Sequence, residues 1–357
     1  MSNSDMKVQD AYHPGLYLRQ YLEEVQMSQD EFAKRLGISG KQVSLILNES
    51  ASVTPDIAFR LSKLIGTSAE LWLKLQAGYD MYILELKKQE EFKKEKEIYR
   101  MIDKKYLKDL GILESGNNLE QTISNIRSRA LISFLTSLEV EDIFCFHKTK
   151  KEKIETTQNI VCRNLWVSFA MSKARKIEVD SFNEKKILSY IDEFKSMTKQ
   201  SFNDFYPKLK EMLASAGIAF VVLPYLKHSN TVGAVKWINS DNVMMAISVN
   251  KGTNDEFWFN FFHELKHILQ KIKRKMIISN NEHVSELELI ANSYALETLV
   301  PLVYIKEISK FDDNIINEIA NICKVHPGII VGRLQRENKI KKNQFNHLKI
   351  KYDYYYE

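Results

Sequence analysis

The residues most able to do chemistry are His263-Glu264-Leu265-Lys266-His267, inside the run FWFNFFHELKHILQ. Histidines four apart share one face of a helix, so His263 and His267 can reach a single metal ion together. Glu264 is rotated from them yet close enough to take a proton from a water on that metal. The expected cofactor is Zn2+. A zinc site needs a third protein ligand, and Glu288 offers one downstream in ELELIANSYALETLV (286–300), with Glu286 half a turn away as the competing carboxylate. Two His and one Glu would leave a fourth position open, as a catalytic site requires. His283 and His228 are candidate donors on the substrate side.

The elements that must position these groups follow from periodicity. Trp258, Phe261, Phe262, Leu265, Ile268 and Leu269 make an apolar stripe at helical spacing, with Asn260, His263, His267 and Gln270 on the other face. In the second helix Glu288, Ala291, Asn292 and Ala295 share one side, and the alanines let two helices approach closely. Upstream, IAFVVLP, AVKWI and NVMMAISV are short β-rich runs bounded by turn residues. A small sheet followed by the metal helix is the usual order in zinc peptidases. With 12 Gly and 6 Pro in 357 residues, the fold class expected is mainly α with a small β-sheet, α+β.

Residues 15–80 carry dense helix punctuation. Ser28-Gln-Asp-Glu31 and Ser39-Gly-Lys-Gln42 are capping boxes on either side of Gly37, and Thr54-Pro55 pairs an N-cap with an N1 proline. Thr67-Ser-Ala-Glu70 caps a further helix, AELWLKLQAGYDM. About five short helices result, and the tight pair around Gly37 has the helix-turn-helix layout. Residues 82–108 alternate in charge and read as a solvated helix. Helical patterns fill 119–212, interrupted by a polar loop at 147–158 whose KTKKEK run reads as solvated. The segmentation expected is 1–80 helix-turn-helix domain, 81–118 charged linker helix, 119–208 helical middle region, 209–338 peptidase-like domain and 339–357 basic and aromatic tail.

Composition bounds the reading. Apolar residues make up 44% and charged residues 27%, and the net charge is +5. Cys145, Cys162 and Cys323 form no C-x-x-C pair, which argues against a disulfide framework or a cysteine zinc site. No leader pattern is visible, and the longest apolar run, GIAFVVLPYL, is too short to span a bilayer. A cytoplasmic location with no membrane partner is expected.

Two resemblances follow from these motifs. His263 to His267, then Glu288 to Ala295 as E-x-x-A-N-x-[FY]-A, then Leu299-Val300-Pro301, resemble the ImmA/IrrE metallopeptidase family. LASAGIAFVVLP upstream and VHPGIIVGRLQ downstream are also similar, so coverage runs from about 209 to 338. The resemblance implies a zincin-like domain acting on a regulatory protein. Lys266 departs from the glycine common in that family; it would place a cation beside the metal or pair with an acid. Residues 13–80, through HPGLYLRQYL, MSQDEFAKRLGIS, ILN and TPDIAFRLSKLIGTSAELWLKLQAGYD, resemble HigA-type, Xre-like helix-turn-helix antitoxins. That implies operator DNA and a toxin, or a phage or stress regulator, as partners.

In a helix-turn-helix the second helix enters the major groove. Ser39, Lys41, Gln42 and Ser44 are then nominated for base edges, Gln42 for adenine and Lys41 for guanine or phosphate. Gln29, opening the preceding helix, is placed to hold a phosphate with its helix amides. Residues 1–80 contain eight Lys/Arg against ten Asp/Glu, low for a DNA binder, so a homodimer on a palindromic operator is expected. An alternative function is a non-catalytic antitoxin that binds a toxin through its C-terminal domain and autorepresses its operon.

Overall fold

The computed structural model describes residues 11–140, 156–249, 252–271, 277–280 and 286–352. Cys145, His283, the KTKKEK run and residues 353–357 lie outside the described residues. The chain forms two compact units, Met1–Lys94 and Glu95–Glu357. It is mostly helical with one four-stranded sheet. Among the described residues no helix is long and apolar enough to cross a membrane.

The first unit is built from α1 (Pro14–Glu24), α2 (Gln29–Leu36), α3 (Gly40–Leu47), α4 (Pro55–Ile65) and most of α5 (Ala69–Met101). Its helix starts are the caps read from the sequence. The Ser28 hydroxyl accepts from the Glu31 N–H and the Ser39 hydroxyl from the Gln42 N–H, each at 3.2 Å. Gly37 ends α2 at φ +72°, a left-handed conformation that favours glycine, and so turns the chain into α3. Leu18, Phe32, Val43, Ile46, Leu47, Ile57, Leu61 and Trp72 close the core between the helices.

In α5 the structure differs from expectation. AELWLKLQAGYDM and the charged segment after it form one helix of 33 residues, and its end is not solvated. Glu95, Ile98 and Ile102 are each 2% exposed. They recur at helical spacing, a stripe hidden among flanking charges. The Glu95 carboxylate is satisfied by the Leu135 N–H at 2.8 Å and lies 3.6 Å from the Arg127 guanidinium.

The second unit continues with α6 (Lys104–Asp109), α7 (Leu119–Ala130), α8 (Thr157–Ala174), α9 (Glu184–Ser189), α10 (Ile191–Met197) and α11 (Phe202–Ala214). Then come β1 (Ile218–Pro224), β2 (Thr231–Trp237), β3 (Val243–Val249), α12 (Asn254–Leu269), β4 (Ile277–Asn280), α13 (Glu286–Leu299), α14 (Asp313–Cys323) and α15 (Pro327–Arg336). The sheet order is β1-β3-β2-β4, with β1 parallel to β3 and β2 antiparallel to both β3 and β4. The β4 segment, IISN, is too short to show a period of two and was not foreseen. Trp258, Phe261 and Phe262 of α12 are buried among Phe194, Phe205 and Phe220. The chain after α15 returns to pin the start of α12. The Asn254 N–H donates to the Ile350 carbonyl at 2.9 Å, and the Trp258 indole donates to the Tyr352 hydroxyl at 2.9 Å. The tail, for which the sequence suggested no role, therefore orients the helix that carries the two histidines.

Candidate functional site

Helices α12 and α13 pack through small residues. Ala291 and Ala295 are fully buried, which brings Glu288 and Asn292 of α13 onto the histidine face of α12. His263 Nε2 and His267 Nε2 are 3.0 Å apart. Glu288 straddles them, Oε2 at 3.1 Å from His263 Nε2 and Oε1 at 3.1 Å from His267 Nε2. These three side chains form a group whose ligand atoms lie within 4.8 Å of one another. Glu286 is exposed and is not part of the group. His228 stands outside it as well, half-buried, its carbonyl accepting from Asn159 Nδ2 at 2.9 Å.

The far side of each imidazole sets its protonation. His263 Nδ1 lies 3.0 Å from Asn292 Oδ1, and His267 Nδ1 lies 2.9 Å from Gln270 Oε1. An amide oxygen only accepts, so each Nδ1 donates to its amide and each ring turns Nε2 toward Glu288. Two imidazole Nε2 atoms and a carboxylate then converge. This N,N,O donor set fits zinc. Burial alone would raise the Glu288 pKa, but hydrogen bonds from His263 and His267 and their charges hold it at about 2. Burial would lower that of His267, but the hydrogen bond to Glu288 and the charges of Glu264 and Glu288 leave it raised.

Glu264 is fully buried on α12 and faces β2. There β2 places Gly233. A Cβ at Gly233 would stand 2.2 Å from Glu264 Oε1 and 2.5 Å from its Cδ. The strand admits the carboxylate only because residue 233 has no side chain. Lys266 does not join the donor cluster: its ammonium lies 5.1 Å over the Tyr294 ring of α13, a cation–π contact between the two helices.

In the first unit, Gln29, Ser39, Lys41 and Gln42 are exposed at the starts of α2 and α3. Ser39 is spent partly as the N-cap of α3, and Ser44 is half-buried and accepts from Asn48 Nδ2 at 3.3 Å. Three positioning residues had no sequence signal. Arg60 of α4 donates to the Gly37 carbonyl at 3.1 Å and so clamps the turn between α2 and α3. Arg19 donates to the Leu47 carbonyl at the end of α3 and pairs with Glu49 at 2.7 Å. Gly15 lets α1 approach α3, since a Cβ there would overlap the Ile46 carbonyl at 2.0 Å.

Residues 18–72 match the family profile HTH_3, helix-turn-helix, bounds that coincide with the first and last buried residues of this core, Leu18 and Trp72. Virulence-associated protein I of Dichelobacter nodosus is 38% identical over 80 residues, 22% of this chain and 74% of that protein. The uncharacterized HTH-type transcriptional regulator YddM of Escherichia coli K12 is 34% identical over 76 residues, 21% of this chain and 81% of that protein. The chain belongs to the helix-turn-helix family. Among solved structures it is similar to a HigA-family addiction module antidote protein from Coxiella burnetii. That likeness is 38% identical, covers 24% of this chain and 95% of the other, and has a TM-score of 0.23. The antitoxin HigA of Pseudomonas aeruginosa, solved with the higBA promoter, is 30% identical over 23% of this chain and 90% of its own, with a TM-score of 0.22.

Proposed function

We propose that this helix-turn-helix protein is a DNA-binding transcriptional regulator of antitoxin type whose second unit is a zincin-like, ImmA/IrrE-type zinc peptidase acting on a regulatory protein. The observation that carries the peptidase half is the convergence of two imidazole Nε2 atoms and the Glu288 carboxylate, 3.1 Å from each, with each ring oriented from behind by an amide oxygen. His263, His267 and Glu288 would hold the ion. Zinc bound there would supply Lewis acidity toward water and a peptide carbonyl. Glu264, whose carboxylate Gly233 accommodates, would accept the proton of the attacking water and pass it to the leaving amine nitrogen. Asn292 and Gln270 would keep both rings in the tautomer that presents Nε2.

The DNA half rests on the exposed first turn of α3. Lys41 and Gln42 would reach base edges while Gln29 and the N-terminus of α2 hold a phosphate. A homodimer belongs to this reading. Met81 and Leu84 of α5 are 60% and 46% exposed and sit one turn apart, an apolar stripe suited to a second copy.

Metal analysis of the purified chain tests the peptidase half. One zinc per chain is expected, lost in His263→Ala and Glu288→Gln and kept in Glu264→Gln, which abolishes cleavage. Less than about half an equivalent in the parent chain refutes the enzymatic reading and leaves an antitoxin that grips its toxin without catalysis. For DNA, Lys41→Ala with Gln42→Ala should eliminate operator shifts, and unaltered binding would refute α3 as the reading helix.

A further inference from the structure

A cleft of about 510 Å³ lies on the far edge of the sheet from β4, lined by α8, α11 and β1. Its apolar wall is Ile177, Phe202, Tyr206, Ala214, Phe220 and Val222. Lys173, Lys176 and Lys210 also line it, against a single acid, Glu211, among its lining residues. The Lys210 ammonium is held 4.8 Å over the Tyr206 ring, so one positive charge is fixed at the wall. Among the described residues β1 is an edge strand, paired with β3 alone, and three consecutive residues, Phe220, Val221 and Val222, border the cleft. That edge therefore borders an apolar body and cationic side chains.

These features select a ligand class. The volume falls in the range of small-molecule sites, roughly 300–1,000 Å³. The edge bordering the cleft is three residues, about 10 Å at the rise of a strand, short for an added peptide strand of ordinary length. Toward its end β1 is already engaged, because the Pro224 carbonyl accepts from the Trp166 indole at 3.1 Å. We infer that this cleft binds a small amphipathic anion, an apolar body against Phe202, Phe220 and Ala214 with a carboxylate or phosphate head among Lys173, Lys176 and Lys210. The inference is independent of the metal-centre reading, since none of its residues belongs to that cluster.

Calorimetric titration of the full chain, as purified, tests it with four probes: decanoate, decyl phosphate, decanol and an acidic blocked pentapeptide, Asp-Ile-Glu-Val-Asp. One-to-one binding of an anion, at least roughly tenfold tighter than decanol, is expected, and the ratio of the two anions identifies the head group. Lys173→Glu with Lys210→Glu should weaken the anion at least roughly tenfold, whereas Lys341→Glu, away from the cleft, should not. Ala214→Trp, which fills the cleft, should abolish binding; if that variant does not fold, the charge reversals still decide. No binding of either anion, equal binding of decanol, affinity unchanged by the charge reversals, or binding of the peptide in place of the anions overturns the proposal. Zinc content, followed in the same samples, reports separately on the metal centre.

Discussion

Gly233→Ala isolates the contact that seats Glu264. The added Cβ would meet Oε1 at 2.2 Å, Cδ at 2.5 Å and Cγ at 2.7 Å, so the groups must part by about 1 Å to reach ordinary contact. Neither side yields easily. Strand β2 is held between β3 and β4, and Glu264 is fully buried on a helix packed into the aromatic core. Overpacking of this kind costs about 1–3 kcal/mol, against a gain of about 0.5–1 kcal/mol that alanine brings to a strand elsewhere. The three nearest atoms all belong to the Glu264 side chain beyond Cβ, so Glu264→Ala removes them. Urea unfolding followed by tryptophan fluorescence, run as a double-mutant cycle, measures the difference. Gly233→Ala should cost about 1–3 kcal/mol in the parent chain and less than about 0.5 kcal/mol in the Glu264→Ala background. Zinc content should be unchanged by Gly233→Ala, while cleavage falls by roughly a hundredfold, the scale set by a misplacement near 1 Å. An equal cost in both backgrounds would refute the account of Gly233.

Two further outcomes follow from the first unit. His13 Nδ1 accepts from the Gly15 N–H at 3.0 Å, and burial lowers its pKa below the ordinary 6.5, only partly offset by Glu49 and Asp80. The unfolded chain therefore binds a proton that the folded one resists: stability is full above 6.5 and falls as pH drops below it. His13→Asn, which keeps the cap without the titration, should flatten that slope in pH-dependent melts, and an unchanged slope would show another group responsible. Met81→Asp with Leu84→Asp should convert a dimer to a monomer in sedimentation while leaving helix content unaltered, since both residues are exposed; a species that stays dimeric would place the interface elsewhere.

Much of this protein was legible in its sequence, because the signals are local. A helix N-cap needs only a hydroxyl and an N–H three residues on, so α2, α3 and α4 announced themselves through Ser28, Ser39 and Thr54. That His263 and His267 share a face follows from the helical repeat alone. The mainly helical class and three of the four strands came from period and turn residues. The local signals failed where partners are far apart in the chain. The choice of Glu288 over Glu286 to face both imidazoles depends on the rotation of α13 against α12, which Ala291 and Ala295 decide by packing. Lys266, ambiguous in the sequence, is directed by the Tyr294 ring on the neighbouring helix. Arg60 on the Gly37 turn, Gly233 against Glu264, and Tyr352 on Trp258 join residues 23, 31 and 94 positions apart. Their meaning lies in distance across the fold rather than in spacing along the chain. The sequence alone therefore determined which residues could do chemistry, and tertiary packing decided which of them meet, with the orientation to act together.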